Sequence, residues 1–338
     1  MLGHDPSAST AENYRRFAVL EARGTSPVYE RLCLGISADR EMLAFLDGLP
    51  PRCRQPNLLL GVVRYAYGVL DTYDAFRETV LGDRDRVAAL LAQRRNQTNE
   101  PGRCAALLPI LASLPQPLAL LEIGASAGLC LLPDRYGYRY GDTLIAGGPP
   151  VIECTLIGDV RPPLPAALPE VAWRMGIDLD PVDVRDPEDV RWLEALVWPG
   201  QTARGRYLRE ALAIAREDPP QVVRGDLTEI LEDVAAGAPR DATLVVFHTA
   251  VLGYLPVEQR RDVARRVEAL GAAWIASEAP GVLGSPPAGA LLERGHFVVT
   301  VGGTLTANGP VARMAPHGSW LQWSENMHDA PRGRCTGR

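Results

Sequence analysis

The spacing of apolar residues changes once along the chain, near residue 114, and the change separates two kinds of structure. Before that point apolar positions recur every three or four residues, the period of a helix with one buried face. Ser9-Thr10-Ala11-Glu12 reads as a capping box, followed at helical spacing by Tyr14, Phe17, Ala18 and Glu21. Thr25-Ser26-Pro27 offers a second cap with proline at the first helical position, and Ser37 is read as the start of a helix through Leu43 and Phe45. Further helices are predicted over 58–70 and 84–93. Residues 1–113 are therefore read as an all-helical region, a lid or substrate wall, without strand pattern or repeat.

From Leu118 short apolar runs alternate with helical patterns, the signature of a parallel α/β sheet. Leu118, Leu120, Leu121 and Ile123 are too uniformly apolar for a half-exposed strand and predict a central parallel strand covered on both faces. A small-residue turn and a helical pattern up to Tyr136 follow, so the stretch reads as strand, loop, helix. Such a loop lets a ligand approach the backbone, and the helix start would offer it unpaired N–H groups. The Gly- and Pro-rich segment at about 138–170 is read as an insertion with one short strand at 151–157. Core strands are predicted at 171–177, 222–223, 243–247 and 272–277. Helices are predicted over 186–196 and 203–216 and from Pro256, where Val263, Val267 and Leu270 share a face before Gly271 stops the helix. The runs 297–300 and 311–314 are joined by too few residues for a crossover, so they form an antiparallel hairpin. The α/β domain is thus read as 114–323, and 324–338 as a disordered tail.

With 338 residues and 46% hydrophobic content the chain can bury a large core. A net charge of -6 argues against a surface built for nucleic acid and favours a small-molecule partner. The six cysteines are scattered without C-x-x-C or zinc-finger spacing, which predicts buried thiols, no metal centre and a reducing, cytoplasmic setting. Neither a signal core nor a membrane span is read from the sequence.

In a parallel sheet the ligand lies over the carboxyl ends of the strands. Polar residues there are the candidates: Glu122, Asp178 or Asp180, Asp226, His248 and Glu278. A lone histidine or a Gly-Asp turn is equally at home in a structural role, so each candidate carries both readings. Glu122, Gly124, Ser126 and Gly128 occupy the E-x-G-x-G-x-G positions of the loop that opens the class I S-adenosylmethionine (SAM) dependent methyltransferase fold, which this segment resembles, with Ser126 in place of the middle glycine. The resemblance implies a Rossmann-like sheet of parallel strands closed by a C-terminal antiparallel hairpin, with SAM as cofactor. It implies that Glu122, Gly124, Ala125, Ser126 and Gly128 hold the cofactor, that Asp178 or Asp180 accepts from the ribose hydroxyls, and that Asp226 lies near the adenine.

A second cluster, Arg94 to Arg103, precedes the first strand. Its Gln97, Asn99, Glu100 and Arg103 suit recognition of a polar substrate or of the methionine carboxylate, and Tyr254 and Glu278 join them as candidate substrate contacts. Taken together, RRNQTNEPGRCAALLP, LLEIGASAGL, DLDPVDV, ALVWPGQ, VVFHTAVLGYLP and APHGSWLQW are similar, in this order, to a bacterial family common in actinobacteria and known only as a domain of unknown function. The chain departs from that family at Cys130, where asparagine usually follows Gly-Leu, and at Pro133, inside the helix expected after the loop. The expected function is methyl transfer from SAM to a small polar metabolite, with His248 and Glu100 as base candidates lining one pocket with the loop after Glu122. Other chemistry on the same fold, such as another SAM-derived transfer or a cyclisation, and a non-catalytic partner-binding protein are the alternatives. Glu100 paired with Arg103 on the surface and His248 in a filled core would be the structural alternative for the two residues.

Overall fold

The computed structural model describes residues 8–284, 295–303 and 309–324. Their α-helices are α1 (Thr10–Phe17), α2 (Pro27–Ala38), α3 (Arg40–Asp47), α4 (Pro56–Tyr67), α5 (Tyr73–Gly82), α6 (Arg84–Gln93), α7 (Cys104–Leu111), α8 (Pro187–Ala195), α9 (Thr202–Glu217), α10 (Leu227–Ala235) and α11 (Val257–Ala269). Their strands are β1 (Leu118–Ile123), β2 (Tyr136–Tyr140), β3 (Thr143–Ile145), β4 (Gly148–Glu153), β5 (Thr155–Ile157), β6 (Val171–Asp178), β7 (Val222–Arg224), β8 (Thr243–Thr249), β9 (Ala273–Glu278), β10 (Phe297–Gly303), β11 (Gly309–Met314) and β12 (Trp320–Trp323). The stretch 325–338, read as a tail, lies outside the described residues.

Two compact units divide the chain. One comprises the residues up to Thr98 together with Val182–Leu208, the other Asn99–Pro181 together with the residues from Arg209. The division falls at 98/99, whereas the apolar spacing changes near 114, and α8 joins the helices of the first unit. That unit is built on capped amphipathic helices. Ser9 Oγ accepts from Glu12 N–H, and Ser26 Oγ accepts from Tyr29 N–H ahead of Pro27. Ser37 does not start a helix. It lies inside α2, its hydroxyl bonded to the Leu34 carbonyl, and Asp39 is the cap of α3. α4 stops at Tyr67, three residues short of the expected end, because Gly68 takes a left-handed φ of 83°.

Asp39 ties three elements together. Its Oδ1 accepts from the Glu41 and Met42 N–H groups, and its Oδ2 from the Tyr73 hydroxyl and Arg77 Nε. Burial alone would raise this carboxyl, but the Met42 N–H and the Arg77 and Tyr73 side chains outweigh it and hold the pKa down to about 2. Asp39→Ala should cost about 2 kcal/mol at neutral pH, the combined scale of a cap and charged hydrogen bonds. A depressed carboxyl stabilises above its unfolded pKa of about 4 and loses that contribution as pH falls through its folded value. Urea unfolding of both proteins at pH 7 and pH 3 should show the difference shrinking in acid.

The second unit is organised by a nine-stranded sheet of order β5-β12-β11-β10-β9-β8-β1-β6-β7. The neighbours from β9 to β7 are parallel, β9-β10, β10-β11 and β11-β12 are antiparallel, and β5 lies parallel to β12. This is an open, mostly parallel α/β sheet. The chain leaves β1 for β6 on one side and returns to β8 on the other, so the carboxyl end of β1 is the topological switch point where such sheets bind ligands. β1 is buried along its whole length, as its apolar run predicts.

Two sequence expectations change here. The segment read as an insertion with one strand forms a small sheet, β3-β2-β4, and its β5 extends the main sheet. The helix expected after the loop is a single 3-10 turn, Leu129–Leu131. Pro133 explains the loss, since it lacks the N–H that would bond the Leu129 carbonyl and its ring collides with that carbonyl in a helix. Side chains take over the freed acceptors. Tyr136 donates to Leu129 O at 2.7 Å, Arg174 Nη1 to Leu131 O at 2.9 Å and Tyr138 to Pro133 O at 2.7 Å.

Candidate functional site

The loop after β1 is held by its own unit. Gly124 and Ala125 N–H donate to Ile177 O, Ser126 N–H to Asp178 Oδ2 at 2.8 Å, and Gly128 N–H to Ala125 O. Asn99 clamps it from the other side, with Nδ2 donating to Ala125 O and Oδ1 accepting from Leu129 N–H, both at 2.8 Å. Without a helix start beyond it, the loop has no helix dipole to offer a ligand. Asp178 braces this loop and also accepts from Asp180 N–H through Oδ1. Asp180 pairs with Arg224 at 2.6 Å, and Asp226 caps α10 through Thr228 N–H and Oγ1. The cap bonds, led by the Thr228 hydroxyl, hold the Asp226 carboxyl below its ordinary value.

A Cβ at position 124 would lie 2.4 Å from Val251 Cγ2, so Val251 packs directly on the Gly124 backbone. Ser126 (φ 53°) and Ala250 (φ 58°) are the non-glycine residues with left-handed backbones among those described, and they follow β1 and β8 at the same end of the sheet. Strain of this kind costs of order 1 to 3 kcal/mol per residue and persists where the surroundings over-determine it, often at functional sites.

Strand register assigns faces. Glu122 lies opposite Phe247, so Glu122, Phe247 and Thr249 share one face, and Ser277, opposite Thr249, joins them. Glu122 is 4% exposed, and its Oε2, the Thr249 hydroxyl and the Ser277 hydroxyl are buried without a hydrogen-bond partner among the described residues. Burial pushes the Glu122 carboxyl well up, Cys130 and Asp178 add to this, and Arg103 partly opposes it. Arg103 donates through Nε to Pro316 O at 2.9 Å and through Nη1 to Thr249 O, and it stacks over Phe297. Glu100, 3% exposed, lies beside them. Cys130 Sγ donates to its carbonyl, and its Oε2 is 3.3 Å from His317 Nδ1. The two turns approach backbone to backbone, for a Cβ on Gly102 would sit 2.4 Å from His317 O and one on Gly318 1.9 Å from Gly102 O.

The structure does not bring His248 to Glu100. His248 is registered with Ile123 and Ala276, on the opposite face, with Trp274 and Glu278. That face carries the core of Leu121, Ile123 and Val246 against α10 and α11. Trp274 Nε1 donates to His248 Nε2 at 3.1 Å, which assigns the proton to Nδ1 and its bond to Glu278 Oε1 at 2.8 Å. Both imidazole nitrogens are committed and the residue is fully buried, so its geometry is that of a core histidine. Of the other candidates, Tyr254 is 57% exposed on a turn and Gln97 belongs to the first unit. Sequence reasoning missed His317, although it stands in the APHGSW stretch, and the Thr249 and Ser277 hydroxyls, whose exposure to the site depends on register alone. No group of three or more His, Cys, Asp and Glu able to hold a metal occurs among the described residues.

Fold and site together define an open α/β protein with a polar cluster at the carboxyl end of its central strand. The chain belongs to a bacterial family described as "uncharacterized protein conserved in bacteria (DUF2332)", whose sequence profile matches residues 11–323. No curated protein and no solved structure matches it. Among the described residues no helix is long and apolar enough to cross a membrane.

Proposed function

We propose that the cluster around Glu122 binds a small cationic metabolite, and that SAM, with methyl transfer to a small polar acceptor, is the reading that fits it best. The observation that carries this is the buried Glu122 Oε2 without a partner among the described residues, once ionised an acceptor suited to an ammonium group. The end of β6 supports a nucleoside beside it. Asp178 keeps a lone pair on each oxygen for ribose hydroxyls, and Leu179, 62% exposed, offers an apolar surface to a base. SAM supplies an electrophilic methyl group when bound. This chain's residues would supply the rest: Glu122, giving up its proton to solvent when an ammonium group arrives, balances that group's charge, Arg103 holds the turn that carries Glu100, and Glu100 with His317 takes a proton from the acceptor.

A second reading draws on the loop itself. Its internally bonded N–H groups and the packing of Val251 on Gly124 and Pro220 on Gly128 favour a non-catalytic protein on the same fold. Calorimetric titration with SAM and its demethylated product separates the two. Wild-type protein should bind, with Glu122→Gln weaker by about 10- to 100-fold, the range for a hydrogen bond to a charged group. No heat at millimolar ligand would leave the non-catalytic reading. Without ligand the variant should be more stable at neutral pH. Folding holds a proton on Glu122 that the unfolded chain has released, so stability falls as pH rises above the unfolded pKa, and glutamine removes that loss.

A further inference from the structure

We propose that the site at Glu122 exchanges a proton for the ligand's ammonium group: it fills only as the carboxyl gives its proton to solvent, so acid empties it. The exchange rests on the reading of Glu122 as an acceptor for an ammonium group and adds what regulates the site. Glu122 is 4% exposed, its Oε2 has no hydrogen-bond partner among the described residues, and it shares its face with the Phe247 ring and the neutral Thr249 and Ser277 hydroxyls. Arg103 is the cation that acts on it, but that guanidinium is committed to Pro316 O, Thr249 O and the Phe297 ring, and it forms no ion pair with Glu122 among the described residues. A carboxyl so placed keeps its proton, because a buried charge without a partner is far less favourable than a neutral group.

The other titratable groups facing Glu122 do not reverse this. Asp178 at the end of β6 acts with burial to push the carboxyl up, as does Cys130, itself held as a neutral thiol by its bond to Cys104 and by burial. Tyr136 on β2 stays a neutral phenol, pushed well up by burial above all. Glu100 and His317 face each other on the neighbouring turns. An arriving ammonium group supplies both the missing charge and N–H donors, so the neutral carboxyl and the ammonium become a carboxylate–ammonium pair and one proton passes to water. Proton and ligand therefore compete for one carboxylate. Below the folded pKa of Glu122, each pH unit lost weakens binding about tenfold, and above it the dependence vanishes. An ordinary glutamate, with a pKa of about 4.3, gives no such dependence above about pH 5.5.

Calorimetric titration of the full chain with SAM and with its demethylated product, from about pH 5.5 to pH 7 and in buffers of low and high ionisation enthalpy, counts the protons. The expected result is about one proton released per ligand bound at the acid end, with affinity rising about tenfold per pH unit there. Both ligands should behave alike, since both carry the ammonium group, and Glu122→Gln should release none. Should Glu122→Gln bind too weakly to measure, the wild-type proton count still decides. Binding with flat affinity and no proton release overturns the exchange and leaves the SAM reading in place. Release with SAM alone overturns it by putting the sulfonium at Glu122, and release that persists in Glu122→Gln overturns it by assigning the proton to another group. No heat with either ligand at any pH removes the SAM reading and the exchange together.

Discussion

Replacing Trp192 by alanine is expected to cost about 3–5 kcal/mol, the range for removing a large buried aromatic side chain. Trp192 on α8 is fully buried within the helical unit. Tyr65 meets its ring edge-on at 5.8 Å, Arg94 lies over it at 5.5 Å, and Nε1 donates to Arg95 O at 3.1 Å. Gly61 on α4 is what admits the ring, since a Cβ there would be 3.2 Å from it and 2.9 Å from Leu196. The alanine variant therefore loses burial, opens a cavity between α4 and α8 and leaves a carbonyl unpartnered. Against a typical total of about 5–15 kcal/mol this is a large fraction. Urea unfolding followed by circular dichroism checks it, and a loss below about 1 kcal/mol would show that the site collapses around the smaller side chain.

His248→Ala is expected to destabilise by about 3–5 kcal/mol as well, because it breaks a buried pair and leaves one partner behind. Glu278 Oε1 accepts from His248 and from the Val251 and Leu252 N–H groups, so the pair fixes the turn after β8. Burial acts to raise the Glu278 carboxyl, but the His248 bond and the two N–H groups outweigh it and hold it below its ordinary value. Its contribution is therefore present above the unfolded pKa of about 4.3 and lost as pH falls through the folded pKa. Thermal unfolding from pH 7 to pH 3 should show wild type converging on Glu278→Gln in acid. If His248→Ala instead keeps wild-type stability and loses only activity, the residue is catalytic and the core assignment fails.

How far the candidate site was legible depended on what each residue needed from the rest of the chain. Glu122, Asp178, Asp226, His248 and Glu278 could be placed at strand ends because apolar runs mark strands and polar residues mark their ends, and all five lie in or beside strands near those ends. Their partners were not. Whether Glu122 and His248 share a face depends on pairing β1 with β8 one residue either way, and a slip of one residue exchanges the faces. Glu100 meets His317, more than two hundred residues on, because two glycine turns pack together, and no local pattern announces that.

By itself the sequence determined what is local. Caps at Ser9 and Ser26, the apolar run of β1, and the loop of small residues follow from propensity and period, and Pro133 already carried the reason that no helix follows the loop. Tertiary structure alone decided what depends on association between distant segments. It paired β5 with β12 at the sheet edge, drew α8 into the helical unit, turned Asp178 onto Ser126, and left Glu122 Oε2 buried without a partner among the described residues while His248 filled a core. The physical reason is that hydrophobic burial is non-directional. It specifies that a run is covered, and register and backbone approach then decide by what.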